Sequence, residues 1–159
     1  MAQYEIVPTE PAHVRELGSN LRAADRSEVV SAGMTGQRAL WRSYRAAYYS
    51  ATALVDGEVA AIWGAGGSPL GKIGRPWLLT SPAVEKARYA ILRVGRAETA
   101  KMLNIYPEMR GFVDSRYKGA LRLLEGLGFD LSEPMPFGPL GAPFCQYWIR
   151  RMGSASTLA

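Results

Sequence analysis

The feature that most constrains this chain is the Asp56-Gly57 pair. It lies between two apolar runs, Ala51-Thr52-Ala53-Leu54-Val55 and Val59-Ala60-Ala61-Ile62-Trp63-Gly64. Asp-Gly accepts the positive φ that a two-residue hairpin turn needs, and the flanking runs read as strands. The centre of the chain is therefore committed to a β-hairpin, which excludes an all-helical bundle. A lone hairpin is marginal in water, so further strands or a covering helix must complete it.

Other segments supply both. Tyr4-Glu5-Ile6-Val7 alternates as a short strand that Pro8 stops. Residues 76–80, 109–114 and 144–150 are three more strand candidates, the second centred on Gly111-Phe112-Val113. Helical spacing connects Val14, Leu17 and Leu21, with Thr9 as N-cap and Pro11 in the first turn. Further helical patterns cover 25–34, 37–49 and 83–103, the last opened by Ser81-Pro82. The clearest helix is 116–127, with Ala120, Leu123, Leu124 and Leu127 on one face and Gly128 as its cap. Residues 64–74 and 135–143 read as Gly- and Pro-rich loops, and 153–159 as a frayed tail. The order is strand, helices, hairpin, strand, helix, strand, helix, strand. That predicts a single α/β (α+β) domain over 1–152, a central mostly antiparallel mixed sheet flanked by helices.

Composition narrows the chemistry. The chain has 159 residues, 48% of them hydrophobic and 21% charged, which fits one folded domain and not a disordered chain. One Cys (Cys145) and one His (His13) permit no internal disulfide and no structural zinc site. Cys145 reads as a small core residue and His13 as a surface one. No apolar run is long enough to span a membrane, so the expected location is the cytoplasm or the inside of a virion. Fifteen Arg and four Lys give a net charge of +5. Arg38, Arg42 and Arg45 follow helical spacing beside Trp41, Tyr44 and Tyr48. That pattern is either an aromatic core face with a solvated Arg edge or a surface for nucleic acid or another polyanion. Gly64-Ala65-Gly66-Gly67-Ser68 lacks the Lys and helix start of a phosphate-binding loop.

The order of elements resembles the GNAT (Gcn5-related N-acetyltransferase) fold from about Tyr4 to Arg150. The local likeness is strongest where Ala120-x-x-Leu123-Leu124-x-x-x-Gly128-Phe129 follows a strand. A narrower likeness, to GNAT-like proteins of short-tailed bacteriophages including an internal virion protein, rests on three short pieces. These are Pro76-Trp77-Leu78-Leu79, the run from Arg122 to Phe129, and Pro136-Phe137-Gly138 with Pro143-Phe144.

The GNAT resemblance implies that acetyl-CoA pyrophosphate would lie on backbone amides at the start of the long helix, in a Q/R-x-x-G-x-G/A loop. Counted from Pro82, those positions hold Glu85, Arg88 and Ala90. A carboxylate there repels phosphate, and an Arg side chain fills the space a glycine would leave. Leu79, Thr80, Arg88 and Ala90 would be the cofactor contacts. The family's Asn position holds Tyr117, and its proton-donating Tyr position holds Leu124, which has no proton to give. Tyr117 and Asp114 are then the catalytic candidates, with Tyr106, Tyr147 and Glu58 as further groups that could reach a site.

Three readings follow. The first is a catalytically degenerate GNAT-fold bacteriophage protein, without cofactor, serving in virion structure or assembly. It would contact other virion proteins in an oligomeric assembly through Arg38, Trp41, Arg42, Arg45 and Phe137. The second is an acetyl-CoA-dependent N-acetyltransferase with an atypical cofactor loop. The third is nucleic-acid contact through the three arginines.

Overall fold

The computed structural model describes residues 2–31 and 33–153. The predicted tail thus lies, beyond Gly153, outside the described residues. Strand β1 (Tyr4–Pro8) leads to α1 (Pro11–Gly18), α2 (Ala23–Ser31) and α3 (Gly36–Ala46). Then come the hairpin strands β2 (Ala47–Val55) and β3 (Glu58–Gly66), and β4 (Ile73–Thr80). A 3₁₀ stretch (Pro82–Ala90) precedes α4 (Ile91–Ile105), and β5 (Glu108–Asp114) precedes α5 (Lys118–Gly126). Short strands β6 (Asp130–Leu131) and β7 (Met135–Phe137) and the long β8 (Ala142–Arg150) complete the chain.

All the strands join one sheet in the order β1-β2-β3-β4-β5-β8-β6, with β7 also on β8. Only β4 and β5 run parallel; the remaining pairs are antiparallel. Asp56 and Gly57 take φ of 50° and 81°, as the hairpin turn demands. The predicted fold class is the one observed.

Alternation along the strands sorts side chains onto two faces. Ala61, Trp63 and Ala65 of β3 turn toward α4 and α5, and pack with Met102, Tyr106, Met109, Val113, Phe129 and Tyr147. Ile62 turns the other way with Leu79, onto Val14, Leu17 and Leu40 of α1 and α3. Leu17, Leu40 and Ile62 are fully buried, each contributing roughly 1.5–3 kcal/mol of transfer free energy.

Several element boundaries differ from the sequence reading, each for a tertiary reason. The predicted helix over 83–103 starts only at Ile91. Ala87 has non-helical angles (φ −119°, ψ 20°) and the preceding turns are 3₁₀. Ala83, Val84, Ala87 and Ile91 still share one apolar cluster, which tighter turns serve equally well. Helix α3 ends at Ala46, because Ala47 and Tyr49 pair with Gly66 and Ala65 of β3. Tyr48 therefore leaves the helical stripe and stands exposed on a strand.

Gly64 and Gly66 belong to β3 and not to a loop. A Cβ on Gly64 would strike the Tyr49 carbonyl and the Trp77 ring. The N-cap of α1 is Glu10, whose N–H donates to His13 Nδ1 at 3.1 Å, while the Thr9 hydroxyl accepts from Thr52. Strands β6 and β7 were not anticipated. They are two and three residues long and exist through pairing with β8.

Candidate functional site

The parallel pair β4 and β5 is the break in the sheet. Their ladder consists of Ile73 with Glu108 and Gly74 with Met109, and beyond these the strands part. The opening is a cleft of about 380 Å³ with a mainly apolar wall. Pro76, Trp77, Leu78 and Thr80 line it from β4, and Phe112 and Val113 from β5. Cross-strand register fixes where these side chains point. Leu78 pairs with Trp63 and Thr80 with Ala61, on the α4 face, whereas Trp77 pairs with Gly64 on the α1–α3 face. Val113 pairs with Cys145 of the α4-face core, and Phe112 takes the opposite face. Residues of both faces line one cleft, so the cleft passes through the sheet.

Tyr147 closes its narrow end. It stands on β8 opposite Gly111 of β5, and its hydroxyl donates to the Pro76 carbonyl on β4 at 3.1 Å. A Cβ at Gly111 would overlap that hydroxyl. The missing side chain therefore lets Tyr147 reach across β5, and Phe129 packs edge-on against its ring at 5.4 Å.

Two buried carboxylates line the cleft, with opposite electrostatics. Glu98 of α4 accepts from Tyr49 Oη and from Trp63 Nε1 (2.9 Å) on one oxygen, and from Lys101 Nζ (2.8 Å) on the other. Burial works to raise its pKa, but the bonds from Lys101, Tyr49 and Trp63 outweigh it and hold the carboxyl below the ordinary Glu range. Burial and the same carboxylate push the Tyr49 phenol up, so it remains a donor. Asp25 of α2 accepts from the Thr80 N–H (2.9 Å) and the Thr80 hydroxyl, with Arg22 Nε at 3.9 Å. Here burial prevails over those partners and the carboxyl is pushed up. Arg22 also reaches Glu85 at 3.2 Å. Trp77 Nε1 is buried with no hydrogen-bond partner among the described residues.

The predicted site residues scatter. Thr80 and Ala90 line the cleft, whereas Leu79 packs into the α1–α3 core. Arg88 is exposed, and its guanidinium lies 4.8 Å from the Tyr89 ring centre. Asp114 is fully buried, but Arg116 binds it through its main-chain N–H (2.9 Å), Nε (2.9 Å) and a terminal nitrogen (2.6 Å). Those bonds, ahead of burial, hold its pKa low. Tyr117 sits at the start of α5 in a separate, open depression with Arg26 and Val30. Tyr106 is fully buried and donates to the Gly67 carbonyl. Glu58, which follows the hairpin turn, accepts from Asn20 Nδ2 at 3.4 Å. Arg38, Arg42 and Arg45 form an exposed edge of α3, while Trp41 and Tyr44 pack half-buried on the core. None of these five lines the cleft.

Glu98, Asp25 and Phe112 were not anticipated. A signal existed for Glu98, a carboxylate on the same helical stripe as Ile91, Gly95 and Met102. Nothing local marks Asp25, whose partner Thr80 is 55 residues away.

No family model matches the chain, and no curated protein matches its sequence. Solved structures do match over nearly the full length. The Salmonella typhimurium protein yncA, described with acetyl-CoA as its cofactor, is 15% identical with a TM-score of 0.67, over 98% of this chain and 99% of that one. An acetyltransferase of the GNAT family from Streptococcus pneumoniae is 15% identical with a TM-score of 0.61, over 94% and 100%. Spermidine N-acetyltransferase from Vibrio cholerae, solved with CoA and spermine, is 10% identical with a TM-score of 0.65, over 93% and 95%. At these identities the likeness establishes the fold, and the chain has the GNAT fold. Nothing in the comparisons supports the expected bacteriophage origin or virion role. No helix among the described residues is long and apolar enough to cross a membrane.

Proposed function

We propose that this chain is an acyl-CoA-dependent N-acyltransferase whose two substrates meet inside the cleft between β4 and β5. The observation that carries this reading is the splay itself: two residue pairs of parallel ladder, then a through-sheet opening with an apolar wall. Such a passage accepts a long, thin acyl-pantetheine arm from one face and an amine from the other. The fold likeness to proteins solved with acetyl-CoA or CoA supports it.

The residues present fit such a donor, in a way of their own. The 3₁₀ turns before α4 use backbone N–H groups internally, as Ile91 N–H does with the Arg88 carbonyl. Phosphate charge would then be met by side chains, for which the exposed Lys86 and Arg88 precede α4, while Arg93 and Arg96 in its first turns reach Tyr4 Oη (2.6 Å) and the Gly126 carbonyl (3.1 Å). Bound there, the thioester supplies an activated acyl carbon. Pro76, Leu78 and Val113 exclude water around it. Tyr147 holds a proton on Oη at the closed end, where a leaving sulfur would take it. Glu98 is no base, since three hydrogen bonds from Tyr49, Trp63 and Lys101 hold its carboxylate in the charged form with a lowered pKa; its part is to hold α4 against β2 and β3.

Calorimetric titration of the full chain with acetyl-CoA and CoA tests this. Micromolar binding is expected, weakened about tenfold by Arg88→Glu. No heat and no thermal shift at millimolar ligand would overturn it. Tyr147→Phe should retain acetyl-CoA binding and lose at least tenfold in kcat.

A further inference from the structure

The sheet face opposite α4 and α5 carries an aromatic shelf at the mouth of the cleft. Phe112 and Phe137 stack with ring centres 4.4 Å apart and planes 13° apart, and Phe144 lies 5.2 Å from Phe137. Phe112 and Phe137 are 41% and 38% exposed, a large amount for stacked phenyl rings on a sheet. The shelf is continuous with the cleft, because Phe112 belongs to both. Trp77 stands on the other lip and the same face, so both lips present rings there. The shelf is also walled. The β7–β8 turn folds back toward Gly33, between α2 and α3, where an added Cβ would lie 3.3 Å from the Pro139 ring.

The charges beside the shelf do not suit a polycation. The two carboxylates on that face of β5 are occupied, Glu108 by Arg110 and Arg150 (both 3.1 Å) and Asp114 by Arg116 (2.6 Å). Arg26 adds a further positive charge beside Tyr117. On β5, the strand that carries Phe112, no carboxylate is left to hold an ammonium-rich chain.

We propose, on the reading that this cleft transfers an acyl group, that the acceptor is a primary amine carried one or two carbons from an aromatic ring. The ring stacks on Phe112 and Phe137, which places the amine at the cleft mouth beside Trp77. Offset ring stacking gives such an acceptor an attraction that an aliphatic polyamine lacks.

The test is thiol release by the full chain with acetyl-CoA and a panel of amines. The panel contains tyramine, tryptamine and phenylalaninamide against spermidine, lysine and an aminoglycoside. The aromatic amines should give kcat/KM at least tenfold above the others. Phe137→Leu should raise the KM for tryptamine about tenfold with kcat within twofold, and Phe137→Trp should keep the KM low. Spermidine or the aminoglycoside turned over as well as tryptamine would overturn the assignment while leaving the acyltransferase reading intact. A tryptamine KM in Phe137→Leu equal to that of the parent would overturn it as well. Failure to bind acetyl-CoA would instead remove the reading beneath it.

Discussion

Replacing Glu98 with alanine removes the acceptor that Tyr49 Oη and Trp63 Nε1 share. Trp63 is 9% exposed and Glu98 is 4% exposed, so the indole N–H loses its acceptor in the interior. Each donor left unsatisfied in the interior costs about 1–3 kcal/mol. The Lys101 pair adds little, since that ammonium is 60% exposed. The sum is about 2–6 kcal/mol, a large share of the roughly 5–15 kcal/mol that stabilises a domain. At about 2–4 °C per kcal/mol for a domain of this size, Tm should fall by about 4–24 °C. Urea and thermal unfolding followed by circular dichroism and Trp fluorescence measure it.

Glu98→Gln keeps one acceptor oxygen and should cost about half as much. In a double-mutant cycle with Tyr49→Phe the two losses should not add, because both report the same bond. The pH sign is fixed by the direction of the shift. A carboxyl whose folded pKa is lowered contributes stability above its unfolded value, and this is lost as pH falls through the folded one. The difference between the parent and Glu98→Gln should therefore be full at neutral pH and shrink below about pH 4, beneath the ordinary Glu value of 4.5. Glu98→Ala within 0.5 kcal/mol of the parent at pH 7 would refute the reasoning.

Asp25 should behave in the opposite way. Burial raises its folded pKa above the ordinary 3.8, so its contribution is present at low pH and lost as pH rises through the folded value. Asparagine still accepts both Thr80 bonds, so Asp25→Asn should match or exceed the parent Tm at pH 7, with the gap closing toward pH 4. Gly111→Val should displace the Tyr147 hydroxyl and obstruct the closed end, lowering Tm and weakening acetyl-CoA at least tenfold by calorimetry. Gly71→Ala, a position where an added Cβ meets nothing within 4 Å, is the neutral control.

The parts of the fold visible in the sequence are those with a local cause. Asp56-Gly57 sets a turn by its own φ preferences, and Leu123, Leu124 and Leu127 show their helix by spacing alone. Gly128 takes φ of 97° at the end of that helix, as a left-handed cap should. What was not legible depends on distant partners. Residues 47–49 continue a helical pattern perfectly well, and become a strand only because β3 is there to pair with them. Helix α4 starts later than its apolar spacing predicts, because that period does not distinguish α from 3₁₀ turns.

The candidate site was the least legible. A search keyed to Tyr117, Asp114 and Arg88 looks for chemistry at positions defined by spacing. The cleft is defined instead by where a ladder stops, and no residue pattern encodes the absence of pairing. Tyr147 shows this best. Its position opposite a glycine matters only once β5 lies between β8 and β4.

The two-pair seam between β4 and β5 also has a consequence for how the chain assembles. Strands β1 to β4 hold neighbouring pairs through antiparallel ladders, and β5 to β8 do the same among themselves. The seam spans 35 residues of sequence, from Ile73 to Glu108, and offers few hydrogen bonds in return. Loop closure of that length is rewarded late, so the two half-sheets should form first and the seam close last. In hydrogen exchange the amides of Gly74 and Glu108 would then open without either half unfolding, like the spine of a book whose covers stay flat.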